Sequence, residues 1–98
     1  MKIVLPGGAG LVGQNLVARL KARGYTDVII LDKHRANTQI LQQMHPEYQV
    51  ECVDVSIPGS WQHHFAQADA VVMLQAQIGG YDYQDFITNN VTSTKLIL

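Results

Sequence analysis

The chain has 98 residues, 47% of them hydrophobic and 15% charged, with a formal net charge of −1. Such a length fits one domain, which buries roughly 60–65% of the surface its unfolded form exposes, and the composition is that of an ordinary globular protein. The near-zero charge supplies no basic face for nucleic acid, and no apolar run approaches a secretory h-region or the roughly 18 residues of a membrane span, so neither nucleic acid nor membrane is expected as a partner and the cytosol is the expected compartment.

The apolar run 2–5 ends in Pro6-Gly7-Gly8 and predicts a buried parallel strand that stops at a turn. Leu11, Val12, Leu16, Val17 and Leu20 then recur at helical spacing, and Gly24 stands where a C-terminal cap belongs. Residues 28–31 form a second continuous apolar run closed by Asp32, which predicts the second strand. A short helix is expected over 37–45, with Ile40, Leu41 and Met44 on one side and Pro46 after it. A third strand is expected over 48–53. Cys52, the single cysteine of the chain, lies in this run; it rules out an internal disulfide and is expected to be a buried structural thiol.

Ser56-Ile57-Pro58 resembles a cap with proline in the first helical turn, and Trp61 and Phe65 sit four apart, so a third short helix with a shared apolar face is expected there. A fourth strand is expected over 70–74 and a last helix over 82–98. His63 and His64 are adjacent and so diverge on a helix, while His34 and His45 are distant in sequence; these are expected to be solvated histidines, and no metal site is expected. Strands alternating with helices through short links predict an α/β fold: a Rossmann-type, doubly wound parallel sheet of order 3-2-1-4, incomplete on its C-terminal side. Residues 1–98 are expected to be one NAD(P)-binding unit, the N-terminal segment of a longer protein.

Gly7-x-x-Gly10-x-x-Gly13 follows a predicted strand, opens a predicted helix, and is followed by Asp32 at the end of the next strand. That context marks a dinucleotide site. Gly7 permits the tight turn, Gly10 lets backbone approach a pyrophosphate, and Gly13 lets the helix lie close to the sheet. Amides around Gly10, Leu11 and Val12 would then face the phosphates. Asp32 is suited to accept both adenosine ribose hydroxyls, which favours NAD, since a 2′-phosphate about 4 Å away would meet repulsion on the order of 4 kcal/mol at an effective dielectric of 20. Lys33 and Arg35 could instead accept a phosphate, so NADP stays open as the less favoured cofactor.

The stretch Leu5-Pro-Gly-Gly-Ala-Gly-Leu-Val-Gly13 resembles the extended short-chain dehydrogenase/reductase superfamily, in its NAD-dependent epimerase/dehydratase family, whose turn is typically T-G-G-x-G-F-I-G. Asp54-Val55 is similar to the family's aspartate and apolar residue that contact adenine, 69–80 to its fourth strand, and 90–98 to its N-V-x-G-T-x-N-L-L helix. The resemblance implies cofactor contacts at Leu74, Gln75 and Ala76, and an ordering role near the active site for Asn90, while Lys33, next to Asp32, is counted with the cofactor-binding residues on its own position. Pro6, Met73, Gln75 and Ser93 depart from the family's usual threonine, histidine, alanine and glycine.

Relatives move a hydride between nicotinamide and a carbinol carbon, often of a nucleotide-activated sugar, with a tyrosine base made acidic by a lysine in Y-x-x-x-K. Here Tyr25, Tyr48, Tyr81 and Tyr83 are followed at that spacing by Ile29, Cys52, Asp85 and Ile87. No catalytic residue is therefore assigned, and these residues are expected to bind rather than catalyse. The loop with Gly79-Gly80, Tyr81 and Tyr83 either lines a substrate cleft or is a flexible turn. The alternatives to an oxidoreductase or epimerase/dehydratase are a non-catalytic nucleotide-binding regulator and a structural subunit, a homodimer packed through the last helix.

Overall fold

The computed structural model describes residues 1–74. Expectations for the last helix, for Gln75, Ala76 and Asn90, and for the Gly79-Gly80 loop lie outside the described residues. Four strands, β1 (Lys2–Pro6), β2 (Asp27–Asp32), β3 (Gln49–Cys52) and β4 (Ala70–Val71), form one sheet of order β3-β2-β1-β4. All its pairings are parallel. Helices α1 (Leu11–Ala22) and α2 (Arg35–Met44) connect the first three strands, and a 3₁₀ turn, Ser60–Gln62, running into the single-turn α3 (His63–Ala66) precedes the fourth. This is the Rossmann-type, doubly wound arrangement expected from the sequence.

Strand alternation divides the core in two. Ile3, Leu5, Val28 and Ile30 face Val17, Leu41 and Tyr48 on the side of α1 and α2, whereas Val4, Ile29 and Leu31 face Val55 and Trp61 on the side of α3. The near-continuous apolar runs of β1 and β2 follow from this burial on both faces. Trp61 and Phe65 meet edge to face at 5.7 Å between centroids, the shared face their spacing predicts.

Helix α1 ends as its sequence predicts. Gly24 has φ +85°, its amide donates to the Lys21 carbonyl, and the Tyr25 amide donates to that of Leu20. That pair of bonds is a Schellman closure, which places the chain to enter β2 at once.

Four expectations are corrected. Ser56-Ile57-Pro58 does not open the third helix: the Ser56 hydroxyl and amide both donate to the Asp54 carboxylate, at 2.6 and 2.9 Å, so this segment is an aspartate-centred turn, and helical structure starts at Ser60. Cys52 is exposed, because β3 is the outer strand on its side of the described sheet and packs only partly against neighbours. His64 and His45 are buried rather than solvated; His64 contacts the Glu51 carboxylate on β3, and His45 stacks against Tyr48. The fourth strand is shorter than 70–74. Leu74 still donates to the Pro6 carbonyl at 2.9 Å, but proline at position 6 has no N–H to offer β4, so the ladder breaks after Val71.

Candidate functional site

The turn between β1 and α1 lies at the carboxyl ends of the strands, where the winding reverses from β2 and β3 on one side of β1 to β4 on the other. In open α/β sheets that switch point is where ligands bind. Gly7 takes φ +78°, a conformation that favours glycine, while its amide donates to the Leu31 carbonyl at 2.6 Å. The turn is thus tied to the end of β2.

The other glycines differ sharply in what the protein itself demands. A Cβ on Gly13 would stand 2.2 Å from the Gly8 carbonyl oxygen and 2.5 Å from its Cα. One on Gly8 would stand 2.8 Å from Ile30 Cγ2 and 2.9 Å from the Leu5 carbonyl oxygen. Helix α1 therefore lies directly on the turn backbone, and the turn directly on β1 and β2. Gly8 was outside the predicted motif, although the doublet Gly7-Gly8 directly after a strand signals it. At Gly10, by contrast, the nearest atom to a Cβ is the Gly7 carbonyl oxygen at 3.7 Å, and φ −74°, ψ 179° suits any residue.

Gly10 is also the N-cap of α1, and no side chain caps this end or places a carboxylate in its first turn. The first helical bond is from the Gln14 amide to the Gly10 carbonyl at 2.9 Å, so the amides of Leu11, Val12 and Gly13 precede any intrahelical partner. Leu11 and Val12 side chains are exposed beside them. An anion at such an end is favoured by about 0.3–1 kcal/mol, and by up to about 2 in partly buried geometry.

Asp32, 7% exposed, stands against this turn. One carboxylate oxygen accepts the Ala9 amide at 3.1 Å and the other accepts the His34 amide at 3.0 Å. Two amides occupy two of about four acceptor positions, which leaves capacity for hydroxyl donors. The Ala9 bond, fixing the carboxylate to the glycine turn, had no signature in the sequence.

Asp54 follows β3. Burial opposes its ionisation, but the Ser56 hydroxyl and amide and the nearby Lys33 charge outweigh it, holding the carboxyl below the usual aspartate range. Its contribution to stability is therefore present at neutral pH and is lost as pH falls through the ordinary carboxylate range toward the lowered value. Replacing Ser56 with alanine removes the 2.6 Å hydroxyl bond, and the Asp54 pKa measured by carboxyl NMR should rise toward its ordinary value. Val55 is committed to the core with Trp61. Lys33 is exposed beside Asp54, and Leu74 is held by Pro6 at the same end of the sheet. The fold thus gathers Gly7, Gly10, Leu11, Val12, Gly13, Asp32 and Leu74 around one turn, with Lys33 and Asp54 beyond Asp32. Among the described residues no group of histidine, cysteine, aspartate or glutamate could hold a metal ion. No described helix is long and apolar enough to cross a membrane.

Residues 3–98 match the family model described as the NAD dependent epimerase/dehydratase family. The chain belongs to this family. It is similar in structure to UDP-glucuronic acid 4-epimerase from Bacillus cereus, solved with UDP-glucuronic acid and NAD, at 28% identity and a TM-score of 0.79 over 99% of this chain and 35% of that one. It is also similar to the enzyme WbmF of Bordetella bronchiseptica, solved with NAD+ and UDP, at 25% identity and a TM-score of 0.78 over 98% of this chain and 30% of that one. The yeast methylglyoxal/isovaleraldehyde reductase Gre2, solved with NADPH, shares the fold at 20% identity and a TM-score of 0.80, over 99% of this chain and 31% of that one. The chain thus spans about a third of the length of these proteins.

Proposed function

We propose that these residues form the NAD-binding part of an oxidoreductase or sugar-nucleotide epimerase/dehydratase. The observation that carries this is Gly10. The protein's own packing leaves ordinary room for a side chain there, so the bare backbone of Gly10 leaves the helix-terminal amides open to a ligand approaching from outside. Leu11 and Val12 amides would meet the pyrophosphate, Asp32 the adenosine ribose, and Asp54 the adenine, with Lys33, Leu74, Gln75, Ala76 and Asn90 completing the cofactor's surroundings. NAD supplies the hydride acceptor. The orientation of Asp32 by two amides supports NAD over NADP, because the fixed carboxylate meets a 2′-phosphate with like charge.

The epimerase solved with UDP-glucuronic acid and the enzyme WbmF solved with UDP support a nucleotide-sugar as the substrate class of the whole protein. The substrate-binding and catalytic parts, and the pairing of copies through 82–98, belong to the same proposal. Titration of the protein with NADH and with NADPH tests its cofactor core: NADH should bind more tightly. Gly10→Ala should shift the melting temperature by no more than a few degrees, the poorer N-cap being partly offset by a stiffer unfolded chain, and weaken NADH by at least about tenfold, the loss expected when a methyl group blocks amide bonds to a charged group worth about 1.5–3 kcal/mol each. Undiminished NADH binding by Gly10→Ala would overturn the reading.

A further inference from the structure

Gln42 makes contacts that neither the dinucleotide site nor the cores require. Its side-chain Nε2 donates to the Tyr48 carbonyl at 2.8 Å and to the His45 carbonyl at 3.3 Å, while its Oε1 accepts the Val50 amide at 3.1 Å. In a strand, successive residues turn their amide and carbonyl to opposite sides. Val53 donates to the Asp32 carbonyl, so residues 49, 51 and 53 face β2, and Tyr48, Val50 and Cys52 face outward. A neighbouring parallel strand would bond to one residue's carbonyl and to the amide two positions on. The Gln42 carboxamide makes that pair of bonds, on the Tyr48 carbonyl and the Val50 amide.

We propose that Gln42 is a surrogate strand that closes the β3 edge against pairing with β3 of a second copy of this chain. Among the described residues β3 is the outer strand of the sheet; an unpaired strand edge is a template for association, and this edge complements itself. In an antiparallel pairing about a two-fold axis at Val50, the two Val50 residues exchange bonds and the Tyr48 carbonyl accepts from the Cys52 amide of the other copy, while the Tyr48 amide keeps its own bond to the His45 carbonyl at 3.1 Å. Glu51 then stands opposite Gln49, with no like charges opposed. The two backbone groups that Gln42 covers are among those this pairing needs. Beyond them the edge opens into a trough of about 340 Å³ between α2 and β3, lined by Arg35, Thr38, Gln39, Gln42, Val50 and Cys52.

Gln42→Met keeps a long helix-compatible side chain against β3 but has no carboxamide. By sedimentation velocity, the folded variant should show concentration-dependent species of greater mass than the unmodified protein. Adding Val50→Pro removes the outward amide without touching the bonds to β2, and should restore the unmodified mass. A folded Gln42→Met protein that sediments like the unmodified one, or a double variant that still associates, would overturn the proposal. Should Gln42→Met not fold, hydrogen exchange on the unmodified protein decides: the Val50 amide should exchange about tenfold more slowly than the outward amide of Cys52, and equal exchange overturns the proposal.

Discussion

Gly13→Ala should destabilise the protein by about 3 kcal/mol or more, the upper range for overpacking a site that cannot yield. The clashing atoms are the carbonyl oxygen, carbonyl carbon and Cα of Gly8, at 2.2, 2.4 and 2.5 Å from the added Cβ, and all are backbone. Gly8 cannot retreat, because it already lies against Ile30 and Leu5. Relief therefore requires α1 to lift from the turn, taking Val17 away from the core of Ile3, Leu5 and Ile30. At roughly 4 °C or more per kcal/mol for a domain of this size, thermal melting should fall by at least about 12 °C. A melting temperature within a degree or two of the unmodified protein would show that the helix does not rest on the turn. Paired with Gly10→Ala, the experiment separates two demands for glycine in one motif, one made by the fold and one by the ligand.

Asp32→Ala should lose both stability and cofactor preference. Removing the carboxylate leaves the buried Ala9 amide without its acceptor and frees the His34 amide, for a loss of about 2–4 kcal/mol. Asp32→Asn, with one carbonyl oxygen, can satisfy one of these amides and should fall between the two proteins in urea unfolding. Both variants remove the charge that opposes a 2′-phosphate, so the ratio of NADPH to NADH affinity should rise in both. If the ratio is unchanged while stability drops, Asp32 serves the turn and not the ribose.

The strand and helix order was legible in the sequence because each element carries its own local signal. β1 and β2 are short apolar runs because both their faces are buried, and α1 is bounded by glycines whose spacing marks a turn at one end and a left-handed cap at Gly24 at the other. The arrangement of Gly7, Gly10 and Gly13 relative to Asp32 was legible for the same reason, since strand, turn and strand are consecutive. Ser56-Ile57-Pro58 misled because a serine before a proline has the composition of a cap, and the hydroxyl that would have capped a helix is taken by Asp54 two residues earlier.

The sequence by itself thus determined the succession of strands and helices and the place of the turn, through hydrophobic periodicity and the backbone freedom of glycine, both properties of neighbouring residues, and right-handed crossovers with the usual winding gave the sheet order from that succession. Only the tertiary structure decided that Gly8 is confined as well as Gly13, that Asp32 is held by Ala9, that His64 is buried against Glu51, and that Gln42 covers the outer edge of β3 in the described sheet. Each of these joins different elements of the fold, six residues apart for Gln42 and Tyr48 and 23 for Asp32 and Ala9. Such contacts depend on interatomic distances set by how helices pack on the sheet, and residue spacing does not encode those distances.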